Sequence, residues 1–181
     1  MHYQNPSEKN ADLLKLSNRK KIYELVRENQ GCHFREIERR IKFPYGTLKY
    51  HLNFLVKHGL LIESRDKNNT RYYTKELSKD DSKLISLLRQ ESIRKIILFM
   101  ITNKNSSYKE IVSFLKLSPS TVTWHLNSLL KKEIIGKKKN SRHFTYFLLA
   151  DRTKIMRLLI SYKKSFLDSL VDKTIEMWDV K

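Results

Sequence analysis

Apolar residues recur every three or four positions in several short segments of the chain, with polar residues between them. This spacing predicts amphipathic helices. Two helix starts are marked in the second half of the chain. Ser107 with Glu110 has the pattern of a capping box, and Ser118 with Pro119 places a capping hydroxyl before a residue that suits the first helical position. The helix after Ser107 is expected to bury three apolar residues, Ile111, Phe114 and Leu115.

A hairpin is expected after the helix that begins at Ser118. Residues 134–138 and 144–148 flank a polar turn at residues 139–143, a pattern that predicts two paired strands. The first half of the chain shows the same order of elements. Its helices are expected at residues 20–28, 34–41 and 45–57, and its strands at residues 60–64 and 71–74 around a turn at residues 65–70.

The chain contains one unit twice, because residues 19–74 align with residues 93–148 without a gap, at an offset of 74 positions. Three helices followed by a hairpin are typical of a winged helix-turn-helix domain. The predicted fold class is therefore mainly α with small β-hairpin wings, in two tandem winged helix-turn-helix domains. We expect the first domain with an N-terminal lead at residues 1–77, a helical connector at 78–92, the second domain at 93–149 and a long C-terminal helix at 150–181.

The charge of the chain lies mostly in the repeated unit. The formal net charge is +18, from 37 basic and 19 acidic residues. The first repeat holds 13 basic and 6 acidic residues, which gives a net charge of +7. The second repeat holds 11 basic and 2 acidic residues, which gives +9, and the rest of the chain has a net charge of +2. A basic solvated surface without a partner is the alternative, but charge concentrated in a duplicated unit favours a polyanionic partner.

Several function classes are excluded by what the sequence lacks. No run approaches the roughly 20 apolar residues of a membrane-spanning helix, and the first residues have no apolar block of a signal peptide, so we expect a cytoplasmic protein with no membrane partner. A single cysteine, Cys32, excludes an internal disulfide and a cysteine-based zinc site. There is no nucleophile motif, metal cluster or phosphate loop, so we expect neither an enzyme nor a cofactor.

Two segments carry a resemblance to a known family. Residues 47–61, TLKYHLNFLVKHGLL, are similar to the recognition helix and first wing strand of ArsR/MarR-like regulators, and residues 121–129, TVTWHLNSL, are similar again. The tandem arrangement resembles archaeal winged-helix transcription regulators, including the euryarchaeal regulators of the archaellum. The resemblance implies sequence-specific binding of double-stranded DNA. The cysteine pairs that metal sensors of this family carry in this helix are not present, which excludes a thiol-based metal sensor.

The two recognition helices should present their polar and aromatic residues outward. At 100° per residue, the apolar stripe that includes Leu48 and Leu52 faces the domain, which leaves Tyr50 and its equivalent Trp124 outside. These two rings are expected to contact thymine methyls or sugar edges in the major groove, although packing against a helix or a second chain would also explain them. The candidate DNA-binding residues of the two helices are Tyr45, Gly46, Thr47, Lys49, Tyr50, Asn53, Ser118, Ser120, Thr121, Thr123, Trp124 and Asn127.

Basic residues on the wings and on the second helix of each unit are candidates for contacts to the DNA backbone. Cations on a hairpin tip can straddle a phosphate strand or enter a narrow, A·T-rich minor groove. The same charges would also serve solubility alone. The wing candidates are Lys67, Arg71, Lys137, Lys138, Lys139 and Arg142, and the helix candidates are Arg35, Arg39, Arg40, Lys109 and Lys116.

Three further residues, two histidines and one cysteine, have side chains that could bind a metal or react. His51 and His125 lie at the edge of the apolar stripe and are expected to be structural hydrogen-bonding residues rather than metal ligands, because no second ligand sits at the right spacing in both copies. Cys32 is expected to be a half-buried residue, with a redox-sensing thiol as the alternative.

The segment from Asp151 has an apolar repeat that predicts a capped helix. Its stripe, formed by Ile155, Leu159, Tyr162, Phe166 and Leu170, needs a partner surface. ArsR/MarR-like proteins commonly dimerise through terminal helices, so the resemblance favours a homodimer through this helix, and contact with the basal transcription machinery is a further expected partnership. Two alternatives stay open for the whole chain: a protein-interaction scaffold, and an RNA-binding or nucleoid protein.

Overall fold

The computed structural model describes residues 16–66, 69–140 and 143–166, and the chain divides into two compact units, Met1–Ile85 and Ser86–Lys181. The division falls inside a helix, α4, which covers Lys79–Leu88. Ser78 caps this helix, because its Oγ accepts a hydrogen bond from the Asp81 backbone N–H at 3.0 Å. The helical connector predicted from the Ser78 and Asp81 spacing is therefore present.

The first unit consists of three helices and a three-stranded antiparallel sheet. Its elements are α1 (Ser17–Glu28), β1 (Cys32–His33), α2 (Phe34–Ile41), α3 (Tyr45–Lys57), β2 (Leu61–Asp66) and β3 (Asn69–Thr74), with the strands in the order β1, β3, β2. The second and third helices have the predicted bounds, and the first begins three residues earlier than predicted. The helices bury Ile22, Val26, Ile37, Leu48, Leu52 and Leu55 against one another and against the sheet.

The second unit repeats this arrangement and adds a terminal helix. Its elements are α5 (Glu91–Thr102), β4 (Ser106–Ser107), α6 (Tyr108–Leu115), α7 (Pro119–Lys131), β5 (Ile135–Asn140), β6 (His143–Leu148), α8 (Arg152–Ser161) and a 3₁₀ turn at Lys163–Ser165. The short strands occupy equivalent positions in the two units, since Cys32 pairs with Tyr72 and Ser106 pairs with Tyr146. The duplication thus extends to strand register.

One predicted core residue of the second unit lies at the surface. Ile111 and Leu115 are buried as expected, whereas Phe114 is 38% exposed. Its ring stacks on Phe99 of α5 with 4.6 Å between ring centroids. The prediction that Phe114 is buried is therefore wrong, because the residue lies at the edge of the helical stripe and meets a neighbouring ring at the surface instead of the core.

The strands of both wings are longer than predicted. In the first unit the β2–β3 pairing runs from Leu61 with Thr74 to Asp66 with Asn69. In the second unit the β5–β6 pairing runs from Ile135 with Leu148 to Asn140 with His143. The broad turns predicted at residues 65–70 and 139–143 are thus wrong. Both faces of these hairpin tips are polar, so side-chain alternation gives no signal of how far the backbone pairing continues.

The long C-terminal helix is shorter than predicted in the part of the chain that the structure describes. Asp151 caps α8 as expected, accepting hydrogen bonds from the backbone N–H groups of Thr153 (2.8 Å) and Lys154 (3.3 Å). The helix ends at Ser161, and the 3₁₀ turn brings Phe166 to a buried position beside Arg94, whose guanidinium carbon lies 5.8 Å from the ring centroid. The apolar repeat continues beyond Ser161, but packing of Phe166 in the folded unit ends the helix there. Leu170 lies outside the described residues.

The base of the first wing is fastened by a buried polar network. Gln30 is 1% exposed; its Nε2 donates to Thr74 Oγ1 at 2.9 Å, and its Oε1 accepts from the Thr74 backbone N–H at 3.0 Å. These bonds join the loop after α1 to the end of β3. The equivalent positions of the second unit are Lys104 and Leu148, so the network belongs to the first unit alone.

Each recognition helix ends in the same capping motif, but with different residues. After α3, Gly59 has φ +70°, and the Leu60 N–H donates to the Leu55 carbonyl at 2.9 Å. After α7, Glu133 occupies the equivalent left-handed position with φ +55°, and the Ile134 N–H donates to the Leu129 carbonyl at 3.1 Å. Such a position favours glycine, because a Cβ is strained there.

This difference gives a test on stability. We expect Glu133→Gly to raise the free energy of unfolding of the second unit by about 1 kcal/mol, and Gly59→Ala to lower that of the first unit by a similar amount. Chemical denaturation followed by circular dichroism measures both changes. Two variants that shift the transition in the same direction would contradict the assignment of the left-handed cap.

Candidate nucleic-acid interface

The residues predicted to face outward from α3 lie on its exposed face. Leu48, Leu52 and Leu55 are buried, whereas the six candidate residues of this helix are exposed: Tyr45, Gly46, Thr47, Lys49, Tyr50 and Asn53. Tyr50 is 60% exposed. No hydrogen bond of the Tyr50 hydroxyl or of the Asn53 carboxamide occurs within the described residues, so both groups are open to a ligand.

Tyr45 is held in place at the start of this helix. Its ring centroid lies 5.0 Å from that of Phe34, the first residue of α2. Lys49 Nζ lies 5.6 Å from the same Tyr45 centroid, within the range of a cation–π contact. The pair positions a phenol and an ammonium group side by side on the exposed face, where both can donate hydrogen bonds.

Helix α7 begins differently from α3, because its N-terminus has a side-chain cap. Ser118 caps the helix, with its Oγ accepting from the Thr121 backbone N–H at 3.3 Å, and Pro119 occupies the first helical position. Trp124 is 64% exposed. All six candidate residues of this helix are exposed: Ser118, Ser120, Thr121, Thr123, Trp124 and Asn127.

The hydroxyl groups of this second face are bonded within the domain. Ser118 Oγ lies 2.7 Å from Thr121 Oγ1 and 3.1 Å from Ser120 Oγ. Thr123 Oγ1 donates to the Pro119 carbonyl at 2.9 Å, and the Tyr108 hydroxyl lies within 3.0 Å of both that Thr123 oxygen and the same carbonyl. The face of α7 therefore presents its threonines with their hydroxyls already engaged.

Equivalent histidines stand beside the two exposed aromatic residues. The His51 ring meets the Tyr50 ring nearly edge-on at 5.3 Å, and the His125 ring meets the Trp124 ring in the same way at 5.0 Å. The Nδ1 atom of each imidazole is buried without a hydrogen-bond partner among the described residues. The prediction of hydrogen-bonding histidines is thus wrong for this nitrogen, which is buried away from the hydrogen-bonding groups of the described residues.

Burial lowers the pKa of both imidazoles from the usual 6.5, and the charge of Arg19 lowers that of His51 further. A lowered pKa in the folded chain means that the unfolded chain binds more protons, so stability rises with pH. We expect this stabilisation to be complete above about pH 6.5 and to be lost as the pH falls toward the folded-state values. Urea denaturation at a series of pH values measures it, and the double variant His51→Gln, His125→Gln should show a shallower dependence. An equal slope in the variant would contradict this assignment.

The second wing presents three lysines on two faces. Residues directly opposite each other in an antiparallel pair share a face. Lys139 is opposite Phe144 and Lys137 is opposite Tyr146, which puts both lysines on one face, while Lys138, opposite Thr145, is on the other. All three are exposed, and no ion pair of theirs occurs within the described residues. Lys137 Nζ lies 5.2 Å from the Phe144 ring centroid.

The first wing offers fewer open cations. Arg65 Nε donates to a Glu63 carboxylate oxygen at 2.5 Å, and this pair raises the pKa of the Arg65 guanidinium. Arg71 is half-buried and donates through Nη1 to the Gly31 carbonyl at 2.8 Å, which fastens β3 to the loop before β1. Lys67 and Arg142, the remaining wing candidates, lie outside the described residues.

The arginines of α2 fall into two groups. Arg35 and Arg39 are exposed. Arg40 donates to Asn29 Oδ1 at 2.5 Å and forms an ion pair with Glu36 at 3.1 Å, so its guanidinium is engaged inside the unit. Lys109 and Lys116 of the second unit are exposed, and Lys116 takes the left-handed position at the end of α6, with φ +54°.

In the part of the chain that the structure describes, no group of three His, Cys, Asp or Glu residues could hold a metal ion. Cys32 is 1% exposed, so the expectation of a half-buried residue is corrected to a fully buried one in the first-unit core. None of the described helices has the length and hydrophobicity needed to cross a membrane.

Sequence reasoning missed two features of the site. Strands β1 and β4 have two residues each, too few for a periodic signal, yet they attach α2 and α6 to the wings. The contact of Tyr108 with Thr123 joins residues 15 positions apart, and no local pattern indicates it. The equivalent positions Phe34 and Lys49 show that the contact is specific to the second unit.

Comparison with protein families agrees with the two units. Residues 16–85 match a family described as an N-terminal helix-turn-helix domain, and residues 89–135 match the family of winged helix-turn-helix DNA-binding domains. The prediction of two tandem winged helix-turn-helix domains, mainly α with small antiparallel wings, is confirmed.

Individual relatives match part of the chain. An uncharacterized HTH-type transcriptional regulator of Methanocaldococcus jannaschii, MJ1398, is 27% identical over 130 residues, which are 72% of this chain and 33% of that protein. YdfF of Bacillus subtilis, with the same description, is 33% identical over 70 residues, 39% of this chain and 30% of that protein. The chain thus spans about a third of the length of these two relatives. HlyU of Vibrio cholerae has a similar solved structure, with TM-score 0.40 and 21% identity over 48% of this chain and 96% of its own.

Proposed function

We propose that this tandem winged helix-turn-helix chain is a transcription regulator that binds double-stranded DNA in a sequence-specific way. The observation that carries the proposal is the exposure of Tyr50 and Trp124 at equivalent positions of α3 and α7, where a recognition helix contacts base edges. Two large rings exposed at equivalent positions of a duplicated unit are available to contact the apolar and polar edges of a ligand. Both relatives described above are named HTH-type transcriptional regulators, which supports the same role.

Charge supports duplex DNA as the ligand. The repeated units carry net charges of +7 and +9, and the exposed lysines of the second wing have no internal acidic partner among the described residues. In this proposal α3 and α7 enter the major groove. Lys137, Lys138 and Lys139 contact the backbone or a narrow, A·T-rich minor groove, and Arg35 and Arg39 contact phosphates beside the helices. Arg71 contributes by holding β3 rather than by reaching DNA.

Two binding units on one chain raise affinity by effective concentration. Once one unit is bound, the second meets its site as an intramolecular partner, and this gains about 10² to 10⁴ in affinity when both sites can be engaged together. The part of the operator that one chain contacts is therefore expected to contain two segments, one for each recognition helix. A short duplex that holds only one segment should bind correspondingly more weakly.

Binding assays with three matched ligands test the proposal. The intact chain is titrated with genomic promoter duplexes, with random duplexes of the same length, and with duplex RNA. We expect a subset of promoter duplexes to bind at least tenfold more tightly than random duplex, and RNA to bind no better than random duplex. Tighter binding to RNA would support the RNA-binding alternative. Equal binding to all duplexes would support a nucleoid protein, and no binding would support a scaffold.

The oligomeric state is a separate part of the proposal. The apolar residues of α8 are buried within the second unit, including Ile155, Leu158 and Leu159, while Ile160 is 47% exposed. We propose a homodimer that uses the terminal segment, and contact with the basal transcription machinery as a second partnership. Sedimentation of the intact chain and of Ile160→Asp measures the first, since a dimer through this surface would dissociate in the variant.

A further inference from the structure

The two recognition faces differ in chemistry at equivalent positions. Thr123 of the second unit replaces Lys49 of the first, and the indole of Trp124 replaces the phenol of Tyr50. The supporting residue of the preceding helix differs as well, since Tyr108 stands where the first unit has Phe34. The duplication has thus kept the scaffold and changed the groups that a base pair would meet.

The second face is apolar toward a ligand. Thr123 Oγ1 is directed to the Pro119 carbonyl and the Tyr108 hydroxyl, and Thr121 Oγ1 is directed to Ser118 Oγ. Because a threonine Cβ carries one hydroxyl and one methyl, and both hydroxyls are bonded within the domain, the methyl groups are the parts of these two exposed side chains that remain available to an apolar ligand. Together with the Trp124 ring, they form an apolar surface on which Asn127 is the one carboxamide among the candidate residues of α7.

The first face is rich in donors instead. Lys49 carries an ammonium group, and Tyr45 and Tyr50 carry phenolic hydroxyls. The contact of Lys49 with the Tyr45 ring leaves its N–H donors directed away from any internal acceptor, since no hydrogen bond or ion pair of Lys49 occurs within the described residues. Such a face suits base edges with acceptor atoms, and the guanine N7 and O6 pair is the acceptor-rich edge of the major groove.

We infer that the part of the operator contacted by one chain is asymmetric: the second unit binds a thymine-rich segment through base methyl groups, and the first unit binds a segment that contains guanine. Thymine is the base that presents a methyl group in the major groove, and threonine methyls are suitable partners for it. The inference rests on the proposed function, because it names the sequence class that each recognition helix reads. Because α3 and α7 present different chemical groups, one chain is not expected to bind two identical segments of a palindromic site.

Replacing thymine by deoxyuridine tests this inference without changing any hydrogen bond, because deoxyuridine differs from thymidine only in lacking the methyl. An operator is first selected from random duplexes with the intact chain, and each thymine is then replaced singly. We expect the sensitive thymines to cluster in one segment, each costing about fourfold in affinity, the factor for burying one methyl-sized group.

Variants assign that segment to one unit. In Trp124→Ala the sensitivity to deoxyuridine should decrease, whereas in Tyr50→Ala it should persist unchanged. Sensitivity spread over both segments, sensitivity absent from both, or loss in Tyr50→Ala instead of Trp124→Ala would overturn the inference while leaving the binding of duplex DNA established. Failure to select any operator would instead overturn the proposed function itself.

A graft gives the converse test. The double variant Thr123→Lys, Trp124→Tyr places the chemistry of the first unit on α7, at positions that are exposed in the second unit. Selection with this variant should replace the thymine-rich segment by one that contains guanine and leave the other segment unchanged. An unchanged selected sequence would show that these two positions do not determine the preference. Thermal unfolding of the variant confirms that its fold is retained.

Discussion

Replacing Trp124 with alanine should lower the affinity for an operator duplex by about tenfold to a hundredfold, and should change the affinity for random duplex by less than about threefold. The expected loss is large because a recognition-helix aromatic that is covered on binding contributes both apolar area and selectivity between bases. Random duplex is bound mainly through phosphates, which this residue does not need to contact. Fluorescence anisotropy titrations with the two duplexes measure both affinities.

The structure provides a suitable control for this substitution. Trp124 is 64% exposed, so its removal leaves no cavity in the fold. Phe114 is also an exposed aromatic residue of the second unit, but it lies on α6 and stacks on Phe99. Phe114→Ala should leave both affinities unchanged. Equal losses of Trp124→Ala on operator and random duplex would contradict a role in reading bases.

Replacing Lys137, Lys138 and Lys139 together with alanine should flatten the salt dependence of binding to every sequence. Each lysine that releases one counterion contributes about 0.9 to the slope of log affinity against log salt, so the slope should decrease by about 2.7 in magnitude. The three lysines make no ion pair within the described residues, which means that their removal leaves no internal acid unpaired. Titrations at four or five salt concentrations measure the slope.

A second triple variant separates local from overall charge. Lys75, Lys79 and Lys83 are exposed lysines at and beside α4, and their replacement removes the same net charge. We expect this variant to change the slope by less than about 1, because none of the three lysines lies on a wing or on α3 or α7. An equal change in the two triple variants would remove the wing from the proposed interface.

Variants on each face of the second wing separate the contributions of its lysines to the salt dependence. Lys137 and Lys139 share one face and Lys138 lies on the other. A wing that straddles a phosphate strand uses both faces, so the double variant and the Lys138→Ala variant should each reduce the slope. A wing that lies flat against the backbone would show an effect from one face alone. Comparison of the two variants therefore shows whether one face or both faces of the hairpin contact the DNA backbone.

The helices of the two repeated units could be predicted to within about three residues because two independent signals coincide. The apolar stripes of α3 and α7 end where Gly59 and Glu133 turn the chain, and Ser118 with Pro119 marks the start of α7. The same stripes give the outward phase of Tyr50 and Trp124, which is confirmed by their exposure. Periodicity is reliable here since one face of each helix must be buried.

The missing parts depend on contacts that periodicity does not describe. The hairpin tips are polar on both faces, so the pairing of Asp66 with Asn69 leaves no trace in the side-chain pattern. The turn that buries Phe166 places its ring beside Arg94, more than 70 positions earlier in the chain. The engaged hydroxyl of Thr123 likewise lies beside that of Tyr108. Local sequence cannot reveal partners that only the folded chain brings together.

Sequencing the genomic DNA fragments that the purified intact chain retains tests the central claim most directly. We expect discrete fragments, enriched upstream of genes and sharing one motif with two unlike segments. We also expect Trp124→Ala to lose that motif while still retaining DNA. Uniform recovery of the genome without a shared motif would contradict the central claim, because two recognition helices that read bases cannot be indifferent to sequence.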